Sequence, residues 1–457
     1  MGVLIFASRP NVGRVSDHSQ AVAALRGQYA AIPAGAPVRL AKPTSNLFRF
    51  RADQPGGLDV ARFNRVLSVD PAARTAQVQG MTTYEDLVDA TLPHGLVPLV
   101  VPQLKTITLG GAVAGLGIES SSFRNGLPHE SVRELEVMTG DGEVVVVGPS
   151  DDLFRGFPNS YGTLGYALRL EIELEPVKPF VRLRHVPFGS ARECAEAIEQ
   201  VCAERSYRGE PVDFVDGTVF SAREQYLTLA NWAESAPDRS DYTGRHIYYR
   251  SVRARRTDHL TARDYLWRWD TDWFWCSRAF GVQHPLVRRL VPKRYLRSDV
   301  YRRIVAWDRR RGFSAKLSKA VQEPVIQDVE IPVDRLAEFL DFFHREIGIE
   351  PVWLCPVRLR DRAGWPLYPM DPDVLYVNVG FWSTVDLRPD EGMGSRNRLI
   401  ERKVSELGGH KSLYSDSYYG EEEFWANYNG ETYRSLKKRY DTASRLPDLY
   451  AKCVLRS

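Results

Sequence analysis

Apolar residues recur at helical intervals near the start of the chain. Ala21, Val22, Leu25 and Tyr29 share one face and predict a helix over 16–30. A Pro/Gly-rich stretch at 33–37 ends it, and short β-like runs follow at 38–41, 66–69 and 76–79. Thr82, with Glu85 three residues on, makes a capping box ahead of Leu87, so a second helix is predicted to start there. Residues 96–101 form a continuous apolar run, as in a buried strand. Runs at 134–138 and 144–147 flank Gly140-Asp141-Gly142 and predict a hairpin. From 168 to 174 apolar and charged residues alternate, as in a half-buried strand.

The pattern changes after Pro176-Val177-Lys178-Pro179, where a domain boundary is placed. The tryptophans lie beyond it, with strand-like runs at 181–185, 325–331 and 374–379. Residues 430–457 read as helical and are expected to cap one of the two domains. No internal repeat or low-complexity tract is visible, and a length of 457 residues suits two or three domains.

Composition narrows the classes. With 61 Lys+Arg against 58 Asp+Glu, the net charge of +3 excludes an acidic disordered chain or a generic polyanion-binding tail. Five widely spaced Cys without a CxxC pair or a Cys/His cluster exclude a disulfide scaffold and a structural zinc site, and no metal ligands are predicted. A reducing, cytoplasmic setting fits. No apolar run reaches the roughly 20 residues of a membrane span. The opening MGVLIF lacks a basic flank and reads as an N-terminal strand or extended arm rather than a leader.

The most informative stretch is TLGGAVAGLGIESSSFRNG, residues 108–126. Glycines there let backbone N–H groups approach an anion, and the serines can add donors. The spacing is neither GxGxxG nor GxxxxGK[ST]. A tight helix contact through small residues explains the same pattern equally well. A second stretch, NSYGTLGYALRLEIEL (159–174), sets Gly162, Thr163 and Gly165 directly before a strand.

In this order the pieces resemble the FAD domain of the vanillyl-alcohol oxidase/p-cresol methylhydroxylase superfamily, and within it the delta(24)-sterol reductase branch. TLGGAVAGLGIESSSFRNGL, SYGTLGYALRLEIELEP, VKPFVRLRHVPF, EPVWLCP (350–356) and LYSDSYYGEEEFWANYNG (413–430) carry the resemblance across most of the chain. It implies an α+β, two-domain flavoprotein, with a PCMH-type FAD-binding domain of mixed α/β structure over 1–180. A substrate-binding cap with a C-terminal helical segment covers 181–457. It implies noncovalent FAD with NADPH as cosubstrate. Carried over residue by residue, Gly110, Gly111, Gly117, Ile118, Ser121 and Ser122 line the pyrophosphate and isoalloxazine. Gly162, Thr163, Leu164 and Gly165 hold the adenosine-diphosphate side. The family's first phosphate loop, RGxG[ST], is replaced here by VRLAKPTSNLF (38–48), where Thr44, Ser45 and Asn46 are the candidate donors, aided by Lys42. That segment lacks the His by which some members bind flavin covalently.

The resemblance also implies a reaction. Reductases of this branch pass hydride from NADPH through FAD to an isolated C=C bond. Protonation of the less substituted carbon gives a tertiary cation that hydride can trap. Actinobacterial relatives reduce a methylene branch of a fatty acyl chain to a methyl branch, as in 10-methylstearate (tuberculostearate). High Arg, Ala and Val usage fits a GC-rich bacterial genome, where sterol synthesis is rare. The expected substrate is therefore a phospholipid-bound 10-methylene acyl chain, with a methyltransferase supplying it. A delta(24)-sterol is the alternative, followed by an oxidase of the same fold or a lipid-binding protein with a degenerate flavin fold. The proton-donor candidates are Tyr414, Asp416, Tyr418 and Glu119, with Tyr419, His410 and Arg124 close by in sequence. Trp353 and Cys355 are expected to shape the substrate wall.

Residues 286–311 hold ten Arg/Lys against two acids, just after Trp267, Trp269, Trp273 and Trp275. Basic residues beside aromatic ones suit peripheral contact with an anionic membrane, at the inner face of the plasma membrane. A solvated helical face with ordinary core tryptophans is the competing reading. Nucleic acid is not expected, since no recognition module accompanies the charge.

Overall fold

The computed structural model describes residues 12–42, 47–49, 56–311 and 321–456. The MGVLIF arm and the loop donors Thr44, Ser45 and Asn46 lie outside the described residues.

Two antiparallel sheets follow one another along the chain. The first contains β1 (Val66–Asp70), β2 (Thr75–Gln79), β3 (Leu96–Pro98), β4 (Val132–Met138), β5 (Val144–Val147) and β6 (Tyr166–Pro176). Its order is β1-β2-β6-β4-β5, with β3 also pairing β6. β6 is central because Leu168, Leu170, Ile172 and Leu174 are buried while Arg169, Glu171 and Glu173 alternate with them. The expected hairpin is present as β4–β5, with Leu135 opposite Val147. Helix Val12–Ala30 crosses this sheet, and its buried His18 bonds Glu136 at 2.9 Å. The helix start expected at Thr82 moves by one residue. Thr83 is the cap of Tyr84–Thr91, and its hydroxyl accepts the Asp86 N–H at 3.1 Å.

The second sheet contains β7 (Phe180–Phe188), β8 (Phe214–Ser221), β9 (Glu224–Ala233), β10 (Thr257–Thr261), β11 (Gln322–Pro332), β12 (Val352–Val357), β13 (Tyr376–Asp386) and β14 (His410–Lys411). Its order is β10-β7-β9-β8-β12-β13-β11-β14. The break between β6 and β7 falls at the Pro-rich joint read from the sequence. Helices Ala191–Glu204, Leu336–Glu346 and Ser395–Glu406 share a core with one face of this sheet, where Val325, Val329 and Ile331 of β11 are buried. The opposite face joins the core of the first half, with Trp353 and Cys355 of β12 beside Leu109, Val113 and Leu164 in one apolar cluster. The C-terminal helices return to the first half. Lys437 and Lys452 donate to the carbonyls of Thr163 (2.9 Å) and Tyr161 (2.7 Å).

Two sequence expectations are corrected here. Trp267, Trp269, Trp273 and Trp275 are all buried, so they are core residues rather than a membrane-facing surface. Arg288, taken as part of a basic surface, is buried and bidentate to Asp272 at 2.6 and 2.9 Å. All five Cys are free thiols. Among the described residues no helix is long and apolar enough to cross a membrane.

Candidate functional site

One cavity of about 380 Å³ lies where the two halves meet. Glycines line one end of it. Helix Leu109–Ala114 starts at Thr108, whose hydroxyl accepts the Gly111 N–H at 3.3 Å. The Gly110 N–H is spent on the Gly80 carbonyl at 2.8 Å, and a Cβ at Gly110 would stand 2.7 Å from that oxygen. Gly110 therefore serves close packing as well as lining the cavity, while the exposed Gly111 opens on it. Gly117, Ile118, Gly162 and Gly165 line the same space. Gly165 has φ +141°, and a Cβ there would meet Val137 and Met138, so the turn into β6 requires glycine. Lys42, Arg49 and Lys452 supply cationic side chains to the wall.

Aromatic rings form the other end. Trp273, Phe274, Trp353, Trp382 and Tyr414 all line it. Phe274 stacks on Trp382 with centroids 4.4 Å apart, and Phe48 stacks on Trp273 at 5.6 Å. Among the described residues one carboxyl sits within this wall, Asp328 of β11. It accepts from Asn378 Nδ2 at 3.3 Å and from the Tyr414 hydroxyl, which in turn accepts from Trp382 Nε1 at 3.0 Å. Gly380 opposite leaves room for it, since a Cβ there would stand 2.4 Å from Asp328 Oδ1. Burial without a cationic partner pushes the Asp328 carboxyl up to about 7. Glu330, two residues along the same face, is raised well above the usual range, by burial first and then by Asp328. Its carboxylate accepts from the Tyr368 hydroxyl.

Tyr414 is held in place from behind. Buried Lys411 bonds Glu401 at 2.7 Å and also donates to the Asp416 carbonyl and Ser417 Oγ. Glu401 accepts the Tyr418 N–H at 3.0 Å, which pins 411–418 onto helix Ser395–Glu406. Phe48 N–H donates to the Tyr414 carbonyl at 2.9 Å.

The structure sorts the remaining sequence candidates. Ser121 and Ser122 are buried off the cavity wall. The Ser121 hydroxyl donates to Leu99 O at 2.8 Å, and Ser122 Oγ accepts the Glu119 N–H at 3.0 Å. Thr163 donates to Ser160 O at 2.7 Å, and Leu164 is core. Asp416 faces Arg456 at 3.8 Å and Tyr418 accepts from Arg456 at 3.1 Å, both away from the cavity lining. Glu119 points to the far side, into a buried cluster with Arg268 (3.3 Å), which also bonds Asp216 of β8 at 2.9 Å. Burial raises the Glu119 carboxyl, against the pull of Arg268 and Ser120. His410 is pushed down to about 4 by burial and does not line the cavity. Trp353 lines the cavity, whereas Cys355 is fully buried. Asp328 was missed. The available signal was two acids, Asp328 and Glu330, on one face of a strand whose other face is Val325, Val329 and Ile331.

The residues present fit a flavin dinucleotide. Side-chain-free backbone and cationic groups at one end suit a pyrophosphate, and flat aromatic surfaces at the other suit an isoalloxazine and an apolar substrate. Fold and cavity together define an FAD-dependent oxidoreductase. Residues 17–148 match the FAD binding domain family. The chain is 27% identical to Delta(24)-sterol reductase of Rattus norvegicus over 417 residues, 86% of this chain and 75% of that protein. It is 26% identical to Delta(24)-sterol reductase of Arabidopsis thaliana over 432 residues, 86% and 76% of the two chains. Decaprenylphosphoryl-beta-D-ribose oxidase of Mycolicibacterium smegmatis matches at 31% over 175 residues, 37% of this chain and 38% of that protein. Over most of its length the chain is similar to the Delta(24)-sterol reductases.

Proposed function

We propose that this enzyme saturates an isolated C=C bond in a lipid chain, the methylene branch of a phospholipid-bound 10-methylene acyl chain, giving a 10-methyl branch. The observation that carries this reading is a proton-holding carboxyl, Asp328, set in an aromatic wall of the cavity that the glycine loops line. An isolated alkene has no carbonyl to polarise, so the site must supply a proton and tolerate a cation. The glycine loops and the aromatic wall would hold FAD noncovalently, and that group would supply the hydride, with NADPH as its source. Asp328 donates the proton to the methylene carbon, and solvent returns one to its carboxylate. The product gains one H⁺ and one H⁻ across the former double bond, while NADPH becomes NADP⁺. The faces of Trp273, Phe274, Trp353 and Trp382 surround the site where positive charge develops, as cation–π attraction favours. Tyr414 orients the Asp328 carboxyl through its hydroxyl.

Similarity to the sterol reductases supports a second substrate, a delta(24)-sterol, whose trisubstituted alkene also protonates to a tertiary cation. The deciding experiment is anaerobic. The enzyme is reduced with NADPH and then mixed with a phospholipid bearing a 10-methylene acyl chain. Return of the oxidised flavin band with a methyl-branched product by mass spectrometry is expected. Return only with a delta(24)-sterol transfers the assignment to the sterol. No bleaching by NADPH overturns the electron donor, and colourless, flavin-free protein would favour a lipid-binding role without catalysis.

A further inference from the structure

Among the described residues ten large hydrophobic side chains are exposed, and six of them fall in one short stretch: Leu286, Val287, Leu290, Tyr295, Ile304 and Trp307. Leu290 is 82% exposed and Leu286 68%. Singly such residues are ordinary, but Leu286, Val287 and Leu290 share one six-residue helix, and such a group marks a contact surface. Their outward direction is built in. On helix Pro285–Leu290, Leu286 and Leu290 are four apart and share a face, while Arg288 turns inward to Asp272 and to the Gly244 carbonyl at 2.6 Å. On helix Ser298–Arg311, Ile304 and Trp307 are three apart, while Tyr301 is buried, stacked on Phe280 and bonded to the Thr271 carbonyl at 3.1 Å.

Lys293 is paired with Asp241 at 2.8 Å and Arg297 with Glu85 at 2.7 Å, which leaves fewer cations for a partner than the sequence suggests. Arg289 and Arg294 are exposed, and Arg294 lies 4.9 Å above the Tyr295 ring. Asp299, one of the two acids of 286–311, is already held by Arg297 and Arg303. Apolar side chains flanked by uncompensated cations suit the headgroup–acyl boundary of an anionic bilayer. A second copy fits worse, because a symmetric contact would press two such basic stretches together. The surface is also wired to the cavity. Asp272, which anchors Arg288, directly precedes the cavity-wall residues Trp273 and Phe274.

We propose that residues 286–307 dock the enzyme on an anionic phospholipid surface, with Leu286 and Leu290 inserted among the lipids and Arg289 and Arg294 against the phosphates. This extends the lipid-substrate reading without resting on it, because docking is read without turnover.

The test is co-sedimentation of the flavin-loaded full chain with vesicles of phosphatidylcholine alone or mixed with phosphatidylglycerol. Wild type is expected to sediment with the mixed vesicles and to remain in solution with phosphatidylcholine. L286S/L290S should abolish sedimentation, and R289S/R294S should weaken it by about tenfold or more. Both variants should keep their flavin and melting temperature. Wild type left in solution with phosphatidylglycerol vesicles, or unchanged binding by L286S/L290S, overturns the proposal. A wild-type dimer that L286S/L290S turns into a monomer would also overturn it, by assigning the surface to a second copy.

Discussion

Asp328 carries a carboxyl that water would ionise and that the aromatic wall keeps protonated up to about pH 7. Asp328→Asn keeps the shape and removes the proton. Flavin content and flavin reduction by NADPH are expected to persist, while alkene reduction falls by about 10²–10⁴. Stopped-flow measurement of the two half-reactions separates them, and loss of both would argue for a structural role. The same carboxyl sets a pH dependence. The alkene step should slow as pH rises through about 7, because the donor is lost. Stability follows the same sign. The unfolded carboxyl ionises near ~3.9, so between that value and about 7 the folded state binds more protons and stability falls with rising pH. The melting points of wild type and Asp328→Asn should agree near pH 4 and separate in favour of the variant by pH 8. Tyr414 was readable as a candidate from its segment. Asp328 was not, because its distinguishing feature is the face of β11 that meets the cavity, and strand alternation alone does not say which face does.

Among the elements, the glycine loops divide into two kinds of work. At Gly110 the nearest atoms to a new Cβ are the Gly80 carbonyl and Cα, which cannot step aside, so Gly110→Val should cost on the order of 1–3 kcal/mol in urea unfolding. At Gly111 the Cβ would meet the Thr108 hydroxyl at 2.8 Å and the Lys42 ammonium at 3.7 Å, both side-chain groups, on the cavity wall. Gly111→Val should leave the fold largely intact and strip the flavin, read from absorbance after gel filtration. Flavin retained at normal content would remove Gly111 from the binding loop. The crowding of glycines was plain in the sequence. Their division was not, because it depends on Gly80 and Ala167, brought up from other elements. The serines of GIESSS teach the same point. Free hydroxyls in the sequence, they are committed in the fold to Glu119 and Leu99.

Across the whole molecule, Arg268 ties the two halves together. Its fully buried guanidinium holds Glu119, at the end of the glycine-rich segment, and Asp216, on β8 of the second sheet. Arg268→Met would leave two buried acids uncompensated, and a destabilisation of about 3–5 kcal/mol is expected by urea unfolding. A change below about 1 kcal/mol would mean that the acids take up protons and the linkage is unimportant.

What the sequence by itself determined is local. The helix read over 16–30 (12–30 in the structure), the β4–β5 hairpin, the alternating β6 and the glycine turns follow from periodicity and steric freedom within a few residues. The family resemblance rested on the glycine turns and β6, together with short stretches at 177–188, 350–356 and 413–430. The tertiary structure decided which serines point inward, which acid faces the cavity and which basic residues of 286–311 remain on the surface. Burial and pairing set those outcomes, and the partners lie far away in the chain. Asp328 meets Tyr414, Arg268 meets Glu119, and Arg288 turns from the surface to Asp272. An isolated segment carries no record of the dielectric or the partner that the rest of the chain will bring to it.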